Sequence, residues 1–528
     1  PCAKSFPFLF LYQTTNLSIM KRMLITVCLV CMAYCNLMAQ KPISDFLNIP
    51  GRMKSYYSWR DKVELKKNTP CTLLFLTKLK QYESEEGAYQ AVMTAGGKQF
   101  YVPLDLLEDY FQVDVTDNET FWTMALLEMY KDYYKKDELA ALRQELRQDA
   151  ESYLSELEKS SLFYDDAAIE DYLQCQVLSL MPERDILKRG MAKPVVRLLK
   201  SAAPDMMMLG NGTLLVSTGM LAALDTEDEL RALLLREISH YLMDHALFTI
   251  KQNVARANRA AFWGAVADGV VAAAEMALYE RYDYYQPGLL FETNGVIQAL
   301  VNEKITKRMG LDYSPKFEEE ADELAITYLQ SMGKSKDALT SALQKVYAYY
   351  KRENDVETLS KYGVYGTLEE RLARLGEPTF SPIDRNFLTK MMGVVSFEAA
   401  MQDYNKQYRN AQFLAMKNID NGLACADDYL MVARSLMKQS NTPESNAECL
   451  LYLDKADLVA KVENVNITKM RILLLIRENM KVNTVDMLKK YQEQLNFMFQ
   501  QPHTEEDAEW IAAEHLWAEK LLERIYLN

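Results

Sequence analysis

The sequence predicts an α+β protein that is mostly helical, and three observations predict it. Residues 60–115 carry short apolar runs broken by turn signals, the pattern of strands. Beyond residue 118 most apolar positions recur with helical spacing, and from about 395 onward they read as consecutive amphipathic helices. The composition, 49% hydrophobic and 25% charged over 528 residues, is that of an ordinary globular chain. At about 150 residues per domain, this length allows about three domains with cores of their own. The net charge of −14 speaks against a nucleic-acid partner, which needs a basic face for the phosphate backbone.

Residues 1–39 read as a targeting segment. Met20-Lys21-Arg22 precedes the apolar run Leu24–Ala33, and Leu37-Met38-Ala39 ends on a small residue, the order of a secretory signal. Cleavage is expected after Ala39, and residues 1–19 read as upstream sequence in frame. The apolar run is shorter than the roughly 20 residues of a membrane span, and bulky Tyr34 disfavours a lipid-modified Cys35. The expectation is therefore an exported protein of a bacterial periplasm or envelope, with no transmembrane span after cleavage. Removing residues 1–39 takes away Lys4, Lys21, Arg22 and no acid, which moves the charge from −14 to −17. Cys71, Cys175, Cys425 and Cys449 remain, too few and too scattered for a disulfide scaffold. Cys425 and Cys449, on neighbouring predicted helices, could pair or stay as two thiols.

Residues 40–117 are expected to form a small β-module, barrel-like in outline. Cys71–Leu76 is a short apolar run, and Ala91–Thr94 and Gln99–Val102 flank Ala95-Gly96-Gly97-Lys98, a hairpin signal. Residues 118–164 turn helical and highly charged, as in a solvated connector. Residues 165–350 mix helices with a few strands, residues 351–394 read as a linker, and residues 395–528 as a helical-repeat domain. In the last, Asp428–Leu458 has the apolar spacing of a helical hairpin, with similar hairpins at about 465–500 and 504–526. The spacing is loosely similar to tetratricopeptide repeats, though longer.

Chemistry concentrates in the middle segment. Thr226-Glu227-Asp228-Glu229 is a capping box that opens a helix bearing Arg236-Glu237-Ile238-Ser239-His240, followed by His245. A zinc-protease helix has HExxH here, with two imidazoles one turn apart and a Glu to activate the bound water. In this chain the second His and the Glu stand, while Arg236 takes the first place. Ser314-Pro315 opens another helix, on which Glu318 and Asp322 share a face. That pairing suits a carboxylate ligand with a second carboxylate to orient its neighbours.

These residues resemble the metallopeptidase family of the CAAX prenyl endopeptidases, the heat-shock membrane proteases and the periplasmic proteases of outer-membrane assembly. The family combines HExxH on one helix with a Glu in ExxxD on a later one. Asp205–Leu221, reading DMMMLGNGTLLVSTGML, is similar to its strand-turn-strand before the active helix. Ala325–Leu343, with Gly333, is similar to the family's segment after the Glu helix. The resemblance spans roughly residues 165–350. It implies a metallopeptidase domain whose outer strand borders a cleft and takes polypeptide by main-chain pairing. It also implies Glu237 as catalytic base, His240 and Glu318 as metal ligands, and Asp322 and His245 as groups that orient them. Arg236 falls on the first ligand position, and a guanidinium has no lone pair to give. The chain has four histidines, and none lies between 246 and 502 to replace that ligand. His245, on a continuous helix, would sit about 140° round from His240.

Two functions are compatible with these residues. In one, the protein is an exported family member with an incomplete zinc site, binding envelope polypeptides without efficient cleavage and docking an envelope partner through its helical repeats. There Arg236 supplies the positive charge and pairs with Glu318, and no cofactor is held. In the other it is an active zinc endopeptidase in envelope protein quality control, with an irregular ligand set. Ala261–Leu278 is apolar but carries Asp268 and Glu275, so a core or cleft-covering helix is expected rather than a span. Tyr279, Tyr282, Tyr284 and Tyr285 read as surface packing or a peptide groove, and His503 and His515 as structural or exposed.

Overall fold

The computed structural model describes residues 47–58, 61–78, 89–127, 136–182, 191–253, 311, 313–352, 368–378 and 383–527. Residues 1–39, expected as a targeting segment, the apolar stretch 261–278 and the tyrosines at 279–285 lie outside the described residues. The chain divides into two compact units, one made chiefly of residues up to Lys136 and the other of Asp137–Met181 and Ile186 onward.

The first unit is built on a sheet. Strands β1 (Ile49–Met53), β4 (Thr69–Lys78), β5 (Tyr89–Ala95), β6 (Lys98–Pro103) and β7 (Phe111–Val113) order as β6-β5-β4-β1-β7, every neighbour antiparallel. β2 (Tyr56–Ser58) and β3 (Val63–Leu65) form a separate pair. Among the described residues β6 and β7 are the two edges, and the sheet is open there where a barrel-like closure was expected. Gly96 and Gly97, at φ 54° and 78°, make the two-residue turn between β5 and β6, a backbone that side chains resist. Alternate residues of β1 point inward, as a sheet with one covered face requires. Helix α1 (Leu107–Tyr110) leads into β7, and α2 (Asn118–Ala125), capped by Asp117, follows it.

The second unit opens with α3 (Lys136–Lys159) and α4 (Ala167–Leu180). Strands β8 (Val195–Leu199), β9 (Met206–Met208) and β10 (Thr213–Ser217) order as β8-β10-β9, with β10 parallel to β8 and antiparallel to β9. The strand-turn-strand read in Asp205–Leu221 is thus present, and β9 is an edge. After α5 (Thr218–Ala223) comes α6 (Glu227–Leu242), whose capping box forms as the sequence indicates. Glu229 accepts from the backbone N–H of Asp225 (2.8 Å) and Thr226 (3.2 Å), satisfying donors the helix start leaves open. From Leu230 to Leu242 every residue of α6 but Arg231 is buried, so α6 is the central helix of the unit. Each of its buried leucines contributes about 1.5–3 kcal/mol of apolar burial.

Helix α7 (His245–Asn253) follows α6, and α8 (Pro315–Ser331) and α9 (Asp337–Arg352) pack against α6. Ser314 caps α8 with Pro315 at its first position, as the sequence indicates. The stretch 351–394, expected as a linker, contains α10 (Leu368–Leu375) and the start of α11 (Arg385–Tyr404). α10 packs on α9 and α11 on α5, so these two helices belong to the body of the unit. Its leucines at 368, 372 and 375 recur at helical spacing, a pattern that eight residues barely display in sequence.

The remaining helices are α12 (Tyr408–Asp420), α13 (Ala426–Gln439), α14 (Pro443–Val459), α15 (Val465–Arg477), α16 (Lys481–Gln500) and α17 (Glu505–Leu527). α13 with α14, and α15 with α16, are the expected hairpins, each closed over apolar residues. Residues 504–526, expected as a third hairpin, form the single helix α17, because no Gly or Pro interrupts 505–527. Cys71, Cys175, Cys425 and Cys449 are all free, and buried Cys449 donates to the Ala433 carbonyl instead. Among the described residues no helix is long and apolar enough to cross a membrane.

Candidate functional site

Three helices and one strand edge meet around Arg236. It stands on α6 one position before Glu237, and Nη1 donates to Glu237 Oε1 at 2.9 Å. Nη2 donates to Glu318 Oε2 on α8. Its Nε lies 3.5 Å from Asp322 Oδ1, also on α8, without a hydrogen bond. The i, i+4 spacing of Glu318 and Asp322 puts both carboxylates on the α8 face that packs against α6.

A second arginine, which carried no motif in the sequence, completes the cluster. Arg371 of α10 donates to both oxygens of Asp322, Nε to Oδ2 at 2.9 Å and Nη2 to Oδ1 at 2.7 Å, and reaches Glu318 Oε2 at 3.0 Å through Nη1. This fork-on-fork geometry is the strong form of a charge-assisted pair. Arg374, one turn on, adds contacts to Asp322 (3.1 Å) and Glu319 (2.8 Å). The only signal in the sequence was two arginines three apart on a leucine-spaced stretch.

His245 also differs from expectation. α6 stops at Leu242, and Asp244 adopts a left-handed backbone at φ 55°, its carboxylate held by Arg143 at 2.7 Å. The chain turns there, so His245 opens α7 and comes back to His240, with the two Nδ1 atoms 2.9 Å apart. The 140° separation of a continuous helix does not apply. His240 stacks on Tyr313 at 3.8 Å and His245 on Phe317 at 4.3 Å, which fixes both rings. His245 Nε2 lies 3.5 Å from Glu320 Oε2. A carboxylate only accepts, which places the His245 proton on Nε2 and makes His245 Nδ1 the acceptor from His240. His240 Nε2 is then a bare lone pair, buried and without a hydrogen-bond partner among the described residues. Glu318 Oε1 is in the same condition.

Burial sets the protonation of this group. It pushes the Glu237 carboxyl up to about 7; Arg236 opposes the rise, and Glu318 and Asp205 add to it. Burial likewise pushes Asp205 up to about 6, against the pull of the Met206 N–H and Arg236. At Glu318 burial favours the neutral acid, yet Arg236 and Arg371 together hold its carboxyl below the usual range. Burial, then the positive Arg236, hold His240 well below its ordinary value, so its imidazole is neutral. Burial opposes the charge on Arg236, but Glu318, Glu237 and Asp322 outweigh it and raise its pKa.

The strand edge touches the site at one point. The Met208 N–H, which points away from β10, donates to Glu237 Oε2 at 3.3 Å. Glu237 thus joins the edge strand to the cation.

These side chains do not fit a catalytic zinc ion. Such an ion wants three protein donors and water. Here the guanidinium of Arg236, itself a cation, contacts both Glu237 and Glu318, and Glu318 is gripped by Arg371 as well. His240 Nε2 is the one imidazole lone pair left open beside them. Among the described residues no group of three or more His, Cys, Asp or Glu side chains is arranged to hold a metal.

Residues 167–388 match the sequence profile of Peptidase family M48. The match begins with α4 and runs past 350 to take in α10 and the first residues of α11, the stretch expected as a linker. No curated protein matches the chain.

Proposed function

From the premise that the chain carries a domain of this metallopeptidase family, we propose that the domain binds polypeptide without efficient cleavage. The observation that carries the reading is Arg236, buried between Glu237 and Glu318 where the family's first metal ligand falls. A permanent cation there meets the carboxylates that a metal would otherwise meet, so the helices stay docked by ion pairs. Peptide hydrolysis by this family needs an activated water, and Glu237 has its carboxylate engaged by Arg236 and by the Met208 N–H instead. The family resemblance offers polypeptide the edge strand β9, whose outward N–H groups at Met206 and Met208 here donate to Asp205 and Glu237 and would have to be released first. The secretory-type segment 1–39 supports export to a bacterial envelope, and the hairpins α13–α16 support docking of an envelope protein there.

The test is cleavage of casein by residues 40–528 in buffer containing zinc, wild type beside Arg236→His and Arg236→His/Glu237→Gln. The expected result is no cleavage by wild type, cleavage by Arg236→His, and none by the double variant. Cleavage by wild type that Glu237→Gln abolishes would establish the rival reading, an active zinc endopeptidase.

A further inference from the structure

The sheet β8-β10-β9 has two edges, and side chains close both. In an antiparallel pair, alternate residues turn N–H and C=O toward the partner strand, and the residues between turn them outward. Leu209 N–H donates to the Thr213 carbonyl at 2.8 Å, and Ser217 N–H to the Asp205 carbonyl at 3.0 Å. In the register of β9 with β10, the outward residues are therefore Met206 and Met208. Both outward N–H groups are taken. Met206 donates to Asp205 Oδ1 at 2.8 Å, and Met208 to Glu237 Oε2 at 3.3 Å. At the other edge α4 supplies the caps: Val196 N–H donates to Gln174 Oε1 at 2.9 Å and Leu198 N–H to Glu170 Oε1 at 3.3 Å.

The two closures differ in kind. Along β8, Gln174 also donates to the Pro194 carbonyl at 3.0 Å. Main chain lies against that strand as well, with Tyr164 N–H on the Leu198 carbonyl at 3.0 Å and Lys200 N–H on the Leu162 carbonyl at 2.9 Å. Donors and acceptors are both met there, and the edge is sealed. Along β9 the caps are two carboxylates, which only accept and cannot serve the outward carbonyls beside them. Either cap can also leave without stranding a buried charge. Glu237 keeps Arg236 at 2.9 Å on its other oxygen, and Asp205 keeps part of its surface in solvent. Met206, Met207 and Met208 are buried, so this edge is shut in the structure. We propose that Asp205 and Glu237 form a latch on β9, which an extended polypeptide opens by displacing both carboxylates. Its carbonyls then accept from Met206 and Met208, and its N–H groups meet the carbonyls that the caps leave unserved. The inference rests on the reading that the domain binds polypeptide, and it names what regulates that contact.

The probe is fluorescein-labelled α-lactalbumin, reduced and carbamidomethylated so that it stays unfolded, titrated with residues 40–528 by fluorescence anisotropy. Asp205→Ala/Glu237→Ala removes both caps and is expected to tighten binding about tenfold or more. Asp205→Ala alone is expected to tighten it about threefold. That variant breaks none of the hydrogen bonds of Arg236, so it decides the matter if Glu237→Ala loosens α6. Glu237→Gln keeps an acceptor at Met208 and should stay within about threefold of wild type. Gln174→Leu strips a cap from β8, where main chain still lies along the strand, and should leave binding unchanged. Amide hydrogen exchange locates the effect. The fragment holding Met206 and Met208 should exchange faster in the double variant, and bound polypeptide should slow it again. Unchanged affinity and exchange in both Ala variants would overturn the latch while leaving the polypeptide-binding reading intact. An equal gain in Gln174→Leu, or a gain without renewed protection of β9, would overturn it too, as adhesion elsewhere. No binding by wild type or by any variant would overturn both.

Discussion

Two buried ion clusters in this molecule have the same ingredients and different conditions. In the helical half, Lys469 pairs with Glu514 at 2.8 Å, Tyr491 donates to the same carboxylate at 2.9 Å, and Trp517 lies under the ammonium. One cation meets one anion, and the surrounding helices close over them. Around Arg236 the carboxylates of Glu237, Glu318 and Asp322 share two buried arginines, two acceptor atoms lack a partner, and burial raises Glu237 to about 7. The first is a pin. The second joins α6, α8 and α10 through shared charges, and its perturbed groups mark it as the candidate site.

The contrast can be broken by mutation. Arg236→Met leaves Glu237 without its guanidinium and Glu318 with Arg371 alone; a loss of about 4–5 kcal/mol in urea unfolding is expected. Lys469→Met should cost less, about 3 kcal/mol, because Tyr491 still donates to Glu514. Lys469→Met/Glu514→Leu/Tyr491→Phe should recover most of that loss, as buried pairs do when every partner becomes apolar. Arg236→Met/Glu318→Leu should not recover, since it leaves Arg371 short of an anion and Glu237 short of a cation. Full recovery in that variant would make the two clusters alike.

A smaller effect sharpens the same point through pH. The Glu237 carboxyl titrates near 7 in the folded protein against an ordinary 4.5. The folded state therefore binds the extra proton between these values. That contribution is full below about pH 4.5 and is lost as pH rises through about 7. Glu237→Gln keeps the neutral form at every pH. Its stability relative to wild type should rise by about 2 kcal/mol between pH 5 and pH 8. A flat difference would mean that Glu237 titrates like an exposed acid.

Local patterns made much of this legible in the sequence. The Gly96-Gly97 turn, the Thr226–Glu229 box and the Ser314-Pro315 start each rest on residues within four of one another, and all three form. Glu318 and Asp322 share a face for the same reason. Arg371 was out of reach, because its partners are 49 and more residues away in sequence and its own helix has eight residues. The contact between His240 and His245 was hidden by one backbone angle, the left-handed Asp244, which no helical projection anticipates. The third hairpin failed where apolar spacing alone was read across 504–526 without a breaker to turn the chain. Periodicity reports faces, and only a stop signal reports ends.

Zinc stoichiometry decides whether Arg236 takes the place of a metal. Residues 40–528 and the Arg236→His variant would be equilibrated with equimolar zinc, passed over a desalting column and measured for bound metal. Essentially no zinc is expected on wild type and about one per chain on Arg236→His, where the introduced imidazole, Glu318 and His240 Nε2 restore three donors. One zinc per wild-type chain, lost on His240→Ala, would contradict it.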